Sequence, residues 1–353
     1  LRKKRGLLAS FLDFEGLEQL DDLIRESTYS IACILNENLK EPTEISTVAR
    51  ALNGIFSAHG DAEHAKIVVE LVQSSQNTNI QDIIEGKENG RSLAALMLRM
   101  YINGSLKNSV FKFLFPVISI VQTKPESYNF RVNAGKIENF QQLCVSFFRS
   151  IDLICQHTTT GMQYLMITLS SKLKNLLGTN SRRSNAVVFG LILKESVCLA
   201  LNTAQDTFGK LMIGKMSKIS ISVLQDVSKT LEKLVDGLLF DSQSYFVDLA
   251  PLNVFLQNNF NKVENFAIVL QELYNKNSKT FLSVGHTSLA NKTHSFNEAD
   301  TEKLATGLHQ MQSFAYKKGK SYWSNLQVNE GLKLKMPRLQ INKFIEVIFE
   351  VLG

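Results

Sequence analysis

The chain has five prolines in 353 residues, four cysteines with no CxxC pair among them, and no sustained alternation of polar and apolar positions. Each shortage excludes something. Without alternation there is no pattern for a half-buried sheet, and prolines confined to the bends or edges of periodic stretches leave long helices uninterrupted. Cys33, Cys144, Cys155 and Cys198 each lie in an apolar stretch and read as buried free thiols of a reducing compartment. The longest apolar runs, such as Ala186 to Leu193, fall short of the ~18 residues a bilayer span needs, and no signal peptide is visible. Phosphate-cradling and nucleophile words are missing as well: there is no GxxxxGK followed by Ser or Thr, no GxGxxG and no GxSxG.

What is present is the composition of an ordinary globular protein, 44% hydrophobic and 20% charged, with ample material for one large domain or two coupled helical subdomains. The net charge of +6 is spread along the chain, which implies a mild bias toward acidic partners and no nucleic-acid footprint. The basic runs Arg2 to Arg5 and Lys317-Lys318-Gly319-Lys320 read as solvated faces. The chain begins at Leu1 and ends on an apolar run, as if cut from a longer protein. The expectation is a monomeric, cytoplasmic domain, with any membrane recruitment left to domains outside it. His59 and His64 stand five apart, the wrong spacing for one metal-binding helix face, and His157, His286, His294 and His309 are isolated. All six are expected at the surface or at helix caps.

Helical periodicity runs almost throughout, so the fold class is all-α. Val110, Phe113, Leu114, Val117, Ile118 and Val121 draw one continuous apolar stripe, within which Pro116 predicts a kink. Further stripes run through Leu143, Phe147, Ile151 and Ile154, then Leu165, Leu169, Leu173 and Leu176, then Leu224, Val227, Leu231, Leu234 and Leu238. Composition marks loops at 122–139, 178–184 and 275–297, the last as the expected hinge. The triplet Lys194-Glu195-Ser196 interrupts an apolar helix, and buried charge must be paired or solvated. A partner groove and an internal ion pair or solvated kink both answer that need.

Several words stand in an order that resembles the Ras GTPase-activating (RasGAP) domain family, the all-helical module of neurofibromin and of the IQGAP-type relatives. Ala49 to Phe56 followed by a helix from Ala62 to Val72 resembles the two helices leading to that family's finger loop. Gly90-Arg91-Ser92-Leu93-Ala94 resembles its loop-to-helix word. Val187-Val188-Phe189-Gly190 running into Cys198, Ala200 and Asn202 resembles its long buried helix, and Ala250-Pro251-Leu252-Asn253-Val254-Phe255-Leu256 resembles its MxPLNxFI word. The resemblance spans about residues 30 to 275. It implies outer-subdomain helices from 1–48 and 298–353, a central domain over 49–274, and a polar loop over 275–297.

It also implies a mechanism, in which an inserted arginine supplies charge that the GTPase lacks in its transition state. That arginine is worth about 10³ to 10⁵ in rate, or roughly 4 to 7 kcal/mol. GTP and Mg²⁺ would be held by the partner GTPase, so the chain itself needs no cofactor. Here the register set by Leu93-Ala94 puts Asn89 at the finger position, with Arg91 two residues later, and the finger-supporting arginine falls on Glu195. Lys194 is one position away, about 100° around the helix. The word that contacts the GTPase switch aligns with Asp226 to Leu231 and keeps only its leucine.

The partner-contacting set implied is therefore Lys87, Gly90, Ser92, Lys194, Glu195, Asp226, Lys229, Thr230, Pro251 and Asn253, with Arg91 as the substitute finger. Three function classes stand open: an active GTPase activator using Arg91, an impaired relative that binds a GTP-loaded Ras-family GTPase, and a helical scaffold without GTPase binding.

Overall fold

The computed structural model describes residues 35–36, 39–74, 82–83, 92–178, 181–209, 215–241 and 247–291, together with 299–300, 302–304, 306–311, 313–314 and 317–318. Among these residues every regular element is helical and no strand occurs, so the all-α expectation holds. The chain divides into two compact units, Leu1–Tyr101 with Asn291–Gly353, and Ile102–Ala290.

In the first unit, α1 (Pro42–Ala58) starts on a proline, whose fixed φ and missing N–H suit a helix's opening turn. It buries Ile45, Val48, Ala49, Leu52, Ile55 and Phe56, spaced to form one face. α2 (Asp61–Ser74) follows after Gly60, and α3 (Leu93–Thr123) contributes Leu93, Met97, Leu98 and Tyr101 to the same core. The stripe Leu304, Leu308, Met311 and Phe314 is buried too, as its periodicity predicts. Its segment crosses α1 at very short range. A Cβ on Gly307 would stand 2.6 Å from the Ala51 carbonyl oxygen, and one on Gly54 would stand 3.1 Å from that of Lys303. Lys318 closes the contact with a 2.7 Å ion pair to Glu44.

The second unit packs α4 (Ile137–Gln156), α5 (Thr160–Leu177), α6 (Ser181–Leu193) and α9 (Lys218–Asp236), with short helices α7 (Leu199–Asn202), α8 (Ala204–Phe208) and α10 (Asn253–Asn259) and the long α11 (Asn261–Asn291). Leu143, Phe147, Ile151 and Ile154 on α4, Leu165, Leu169 and Leu173 on α5, and Leu224, Val227, Leu231 and Leu234 on α9 are all buried. Local chemistry sets the ends. Thr159 caps α5 by accepting from the Met162 amide, Ser217 caps α9 by accepting from Ser220, and Gly237 ends α9 at φ +63, where a side chain would be strained. α6 and α9 meet closely because Gly190 has no side chain: a Cβ there would run into Val235.

Some expectations are corrected. The loop placed at 275–297 is helix as far as Asn291, so it is no hinge over those residues. Asn, Ser and Thr each lower helix propensity by only tenths of a kcal/mol, and no proline lies between Pro251 and Pro337 to stop the helix. The polar segment 178–184 likewise narrows, since α6 begins at Ser181. Leu176 and Leu238, placed on buried stripes, are 54% and 53% exposed at or beyond their helix ends. Pro116 lies inside α3 and is exposed, so the proline does not end the helix. Nor is His64 a surface residue. It is buried edge-on against Tyr101, with ring centroids 4.8 Å apart, and its Nε2 has no hydrogen-bond partner. Burial pulls its pKa down to about 3. His59 is buried as well, at the C-cap of α1.

Two helices, Leu93–Thr123 and Arg183–Asn202, are long and apolar enough on average to cross a membrane, although no uninterrupted apolar run does so. The second is largely inside the protein core. The first is amphipathic, with Asn103, Lys107, Asn108 and Lys112 on its exposed face.

Candidate functional site

The positions that the family resemblance singles out fall in both units. Lys87, Asn89, Gly90 and Arg91 lie outside the described residues. Ser92 is the N-cap of α3 and is buried. Its Oγ accepts from the Ala95 amide at 3.1 Å and its carbonyl accepts from Leu96. The neighbouring amide, of Ala94, donates at 2.8 Å to the Asn36 side-chain oxygen, 58 residues earlier in the chain. The first amides of α3 are thus taken up inside the unit, so its start is not an open anion cradle.

In the second unit, α6 passes into a π-helical turn at Lys194–Cys198 before the chain resumes as α7. This turn resolves the buried-charge problem that the sequence poses. Lys194 forms a 2.6 Å ion pair with Asp236 at the end of α9, both groups being about one-third exposed, and the Ser196 hydroxyl donates to the Ile192 carbonyl at 2.6 Å. Lys194 thereby has its counter-charge within the protein. Pairing i to i+5 changes the angular spacing of side chains through Lys194–Cys198 relative to an unbroken α-helix. Glu195 is half-buried in the turn.

At the last residue of the turn, Cys198 binds reciprocally to Ser228 of α9. The thiol donates to the Ser228 carbonyl at 3.8 Å, and the Ser228 hydroxyl is 3.2 Å from the Cys198 carbonyl. Burial pushes the thiols of Cys144, Cys155 and Cys198 well above their ordinary pKa, which fits the free buried thiols expected of them. Cys33 lies outside the described residues.

Asp226 and Thr230 occupy the buried side of α9. Arg131, from the loop between α3 and α4, donates to both Asp226 oxygens, from Nε at 2.8 Å and from Nη2 at 2.6 Å. A second contact reaches the exposed Asp248 at 3.7 Å. Burial pushes the Asp226 pKa up, and the Arg131 hydrogen bonds and charge oppose that rise. The Thr230 hydroxyl donates back to the Asp226 carbonyl at 2.8 Å. Lys229, one turn after Asp226 on the adjoining face, is half-buried, and its charge also opposes the rise of the Asp226 pKa.

Asn253 opens α10, and its amide grips one residue of another segment from both sides. Its Oδ1 accepts from the Phe240 amide at 2.8 Å and its Nδ2 donates to the Phe240 carbonyl at 3.0 Å. Pro251 is exposed within the 3-10 turn Val247–Leu252.

Lys194, Lys229 and Asn253 are therefore distributed along α9 and beyond its end, with Lys194 at Asp236 and Lys229 two turns, about 10 Å, earlier. The residues exposed on the segments around the Asn253 brace include Asp241 and Asp248 beside four apolar side chains. Leu238 and Leu239 are 53% and 38% exposed, Val247 is 47% and Val254 is 66%. Sequence reasoning missed Arg131, Asn36, Asp236 and Asp248. Each carries no local signal, because its partner lies far along the chain. Among the described residues no group of three or more His, Cys, Asp or Glu side chains stands together to hold a metal. No protein-family model matches the chain, and no curated protein matches it.

Proposed function

We propose that the chain is a RasGAP-like regulator that binds a GTP-loaded small GTPase of the Ras family and accelerates GTP hydrolysis weakly or not at all. The impaired activity follows from the residues at the two charge-bearing positions, Asn89 for the finger and Glu195 for its support. A neutral donor in place of the arginine forms hydrogen bonds about half as strong and supplies no net charge to a transition state that needs it. GTP and Mg²⁺ belong to the partner in this reading.

The observation that carries the binding half is the set of exposed aliphatics, Leu238, Leu239, Val247 and Val254, on segments that the Asn253 amide holds together. Apolar surface grouped around one braced turn is more typical of a contact surface than of solvent-facing loop. Lys229 and Pro251 lie on the adjoining elements.

Single-turnover GTP hydrolysis by several Ras-family proteins, with and without excess chain, tests the activity. A rate gain abolished by Arg91→Ala would make the chain an active GTPase activator. Pull-down with GTP-loaded against GDP-loaded GTPase tests binding, and equal or absent capture of the two forms overturns the reading. A helical scaffold without GTPase binding is favoured by one specific observation: Asp226 and Asn253, both on contact words, are engaged inside the protein. Absent capture of both forms is the outcome that reading expects.

A further inference from the structure

We propose that the outer side of α3 in the second unit, continued by the end of α4, is a docking surface for an anionic lipid bilayer, on which the domain lies without crossing it. The surface belongs to Ile102–Ala290 alone and does not depend on the GTPase reading. α3 carries no aspartate or glutamate in its 31 residues. It is also apolar where no core requires it. Only 28% of its most apolar 18-residue stretch is buried, against 72% for Arg183–Asn202, whose apolar character the protein interior explains.

The uncovered side has a defined order. Lys112, Pro116 and Ile120 follow one another at intervals of four and form one outer ridge, and all three are exposed, Ile120 by 52%. Phe113 and Val117 on one flank and Phe115 on the other are half-buried. At Phe113 the ridge meets α4. The Phe113 ring stands 4.8 Å from that of His157, the C-cap residue of α4, and the Lys112 Nζ lies 5.0 Å from the Phe113 centroid. Back along α4 from His157, Leu153 and Arg149 continue an exposed row at the same interval, with Leu153 40% exposed.

Three cations border these apolar groups: Lys112, Arg149, and Lys124 just past the end of α3. All three are exposed, and none is ion-paired with a described carboxylate. The carboxylates on the adjoining elements are few. The Gln156 amide engages Asp152 at 2.9 Å, Glu138 lies about 16 Å before Arg149 along α4, and Glu126 lies in the turn beyond α3.

Cations without counter-charges beside exposed aliphatic and aromatic groups match the two layers of an anionic bilayer surface. Headgroup phosphates and carboxylates take the cations, and the acyl boundary takes Ile120, Leu153 and the edge of Phe113. A protein partner would need a groove shaped to a convex helix face. A bilayer needs no such shape, and from Lys112 to Thr123 the ridge can lie flat over about 17 Å. Each lysine or arginine near such a surface strengthens binding about fivefold, so the attachment is reversible and sensitive to salt.

The test is co-sedimentation of the full chain with phosphatidylcholine vesicles, with and without about 30% phosphatidylserine. Variants are Lys112→Glu, Ile120→Ser and Leu153→Ser, each checked for folding by circular dichroism. Lys174→Glu makes the same charge change on the last turn of α5 and serves as the control. Wild type should sediment with the anionic vesicles only. Lys112→Glu should weaken partitioning by about fivefold or more, Ile120→Ser by about fivefold, and Lys174→Glu by less than about twofold. If Ile120→Ser does not fold, Leu153→Ser supplies the apolar comparison. Failure of wild type to bind anionic vesicles overturns the surface and leaves the face to an acidic protein or another segment of the chain. Equal binding to neutral vesicles overturns it as well, as does wild-type binding by both serine variants. Equal losses in Lys112→Glu and Lys174→Glu also overturn it, because the effect would then follow net charge and not this face.

Discussion

Replacing Arg131 with alanine removes one half of a buried ion pair and leaves the other in place. The Asp226 side chain is 7% exposed and receives two guanidinium hydrogen bonds, at 2.6 and 2.8 Å. Truncating one partner of such a pair costs about 3 to 5 kcal/mol, because the remaining charge is stranded in a poorly solvated place. The low end, about 3 kcal/mol, applies here because Arg131 is itself 26% exposed and water can follow the cavity inward. Asp226 has a second way out, which is to take up a proton. Burial already pushes its pKa up and Arg131 opposes the rise, so removing Arg131 raises it further. A carboxyl whose folded pKa lies above its unfolded value of 3.8 binds protons more readily when folded. The loss caused by Arg131→Ala therefore grows as pH rises from about 4 through the folded pKa and is flat above it.

Urea unfolding followed by circular dichroism at 222 nm, at pH 5 and pH 8, measures both quantities. The expected loss is about 3 kcal/mol at pH 8 and smaller at pH 5, and Arg131→Met combined with Asp226→Leu should recover most of it. A loss below about 1 kcal/mol at pH 8, or one independent of pH, would refute the account of Asp226 as a stranded buried charge.

Three further outcomes follow from buried groups. His64, held neutral with a pKa near 3 against 6.5 when exposed, makes folding less favourable as pH falls below 6.5; the cost reaches about 2 kcal/mol by pH 5, and His64→Leu should remove that component of the pH dependence of unfolding. Gly190→Ala drives a methyl into Val235 and should destabilise by about 1 to 3 kcal/mol in thermal or urea unfolding, with Val235→Ala in the same chain relieving much of it. Cys144, Cys155 and Cys198 should resist iodoacetamide under native conditions and react in urea, as read by peptide mass spectrometry; native labelling of any of the three would contradict its burial.

The helices were legible because burial repeats every three or four residues, and Leu143, Phe147, Ile151 and Ile154 needed nothing beyond that period to be placed in the core. The composition of 275–291 misled for a related reason. Polar residues lower helix propensity only slightly, and contacts such as Asn277 Nδ2 to Gln163 at 3.3 Å hold that helix from outside it. The site was less legible than the fold. Asp226 and Asn253 each have an internal partner that the sequence does not reveal: Arg131, 95 positions away, and the Phe240 backbone, 13 positions away. No spacing rule within a helix reaches that far. The π-turn at Lys194–Cys198 was not legible either, since a change in the number of residues per turn leaves no mark in composition. His64 carried no sign of burial because one histidine has no period.

The crossing of Gly54 and Gly307 has a consequence for the order in which the molecule assembles. These two residues are roughly 250 positions apart, so closing the chain between them as a disordered loop would cost about 5 kcal/mol in entropy. During synthesis α1 emerges long before Gly307 exists, and its face at Ala51 and Ile55 must wait uncovered. If residues 102–290 fold first, the late C-terminal segment closes the crossing only after the second unit is in place. The crossing would then be among the last contacts to form, and a ribosome-stalled chain ending before residue 300 should leave α1 open to protease while the second unit is already protected.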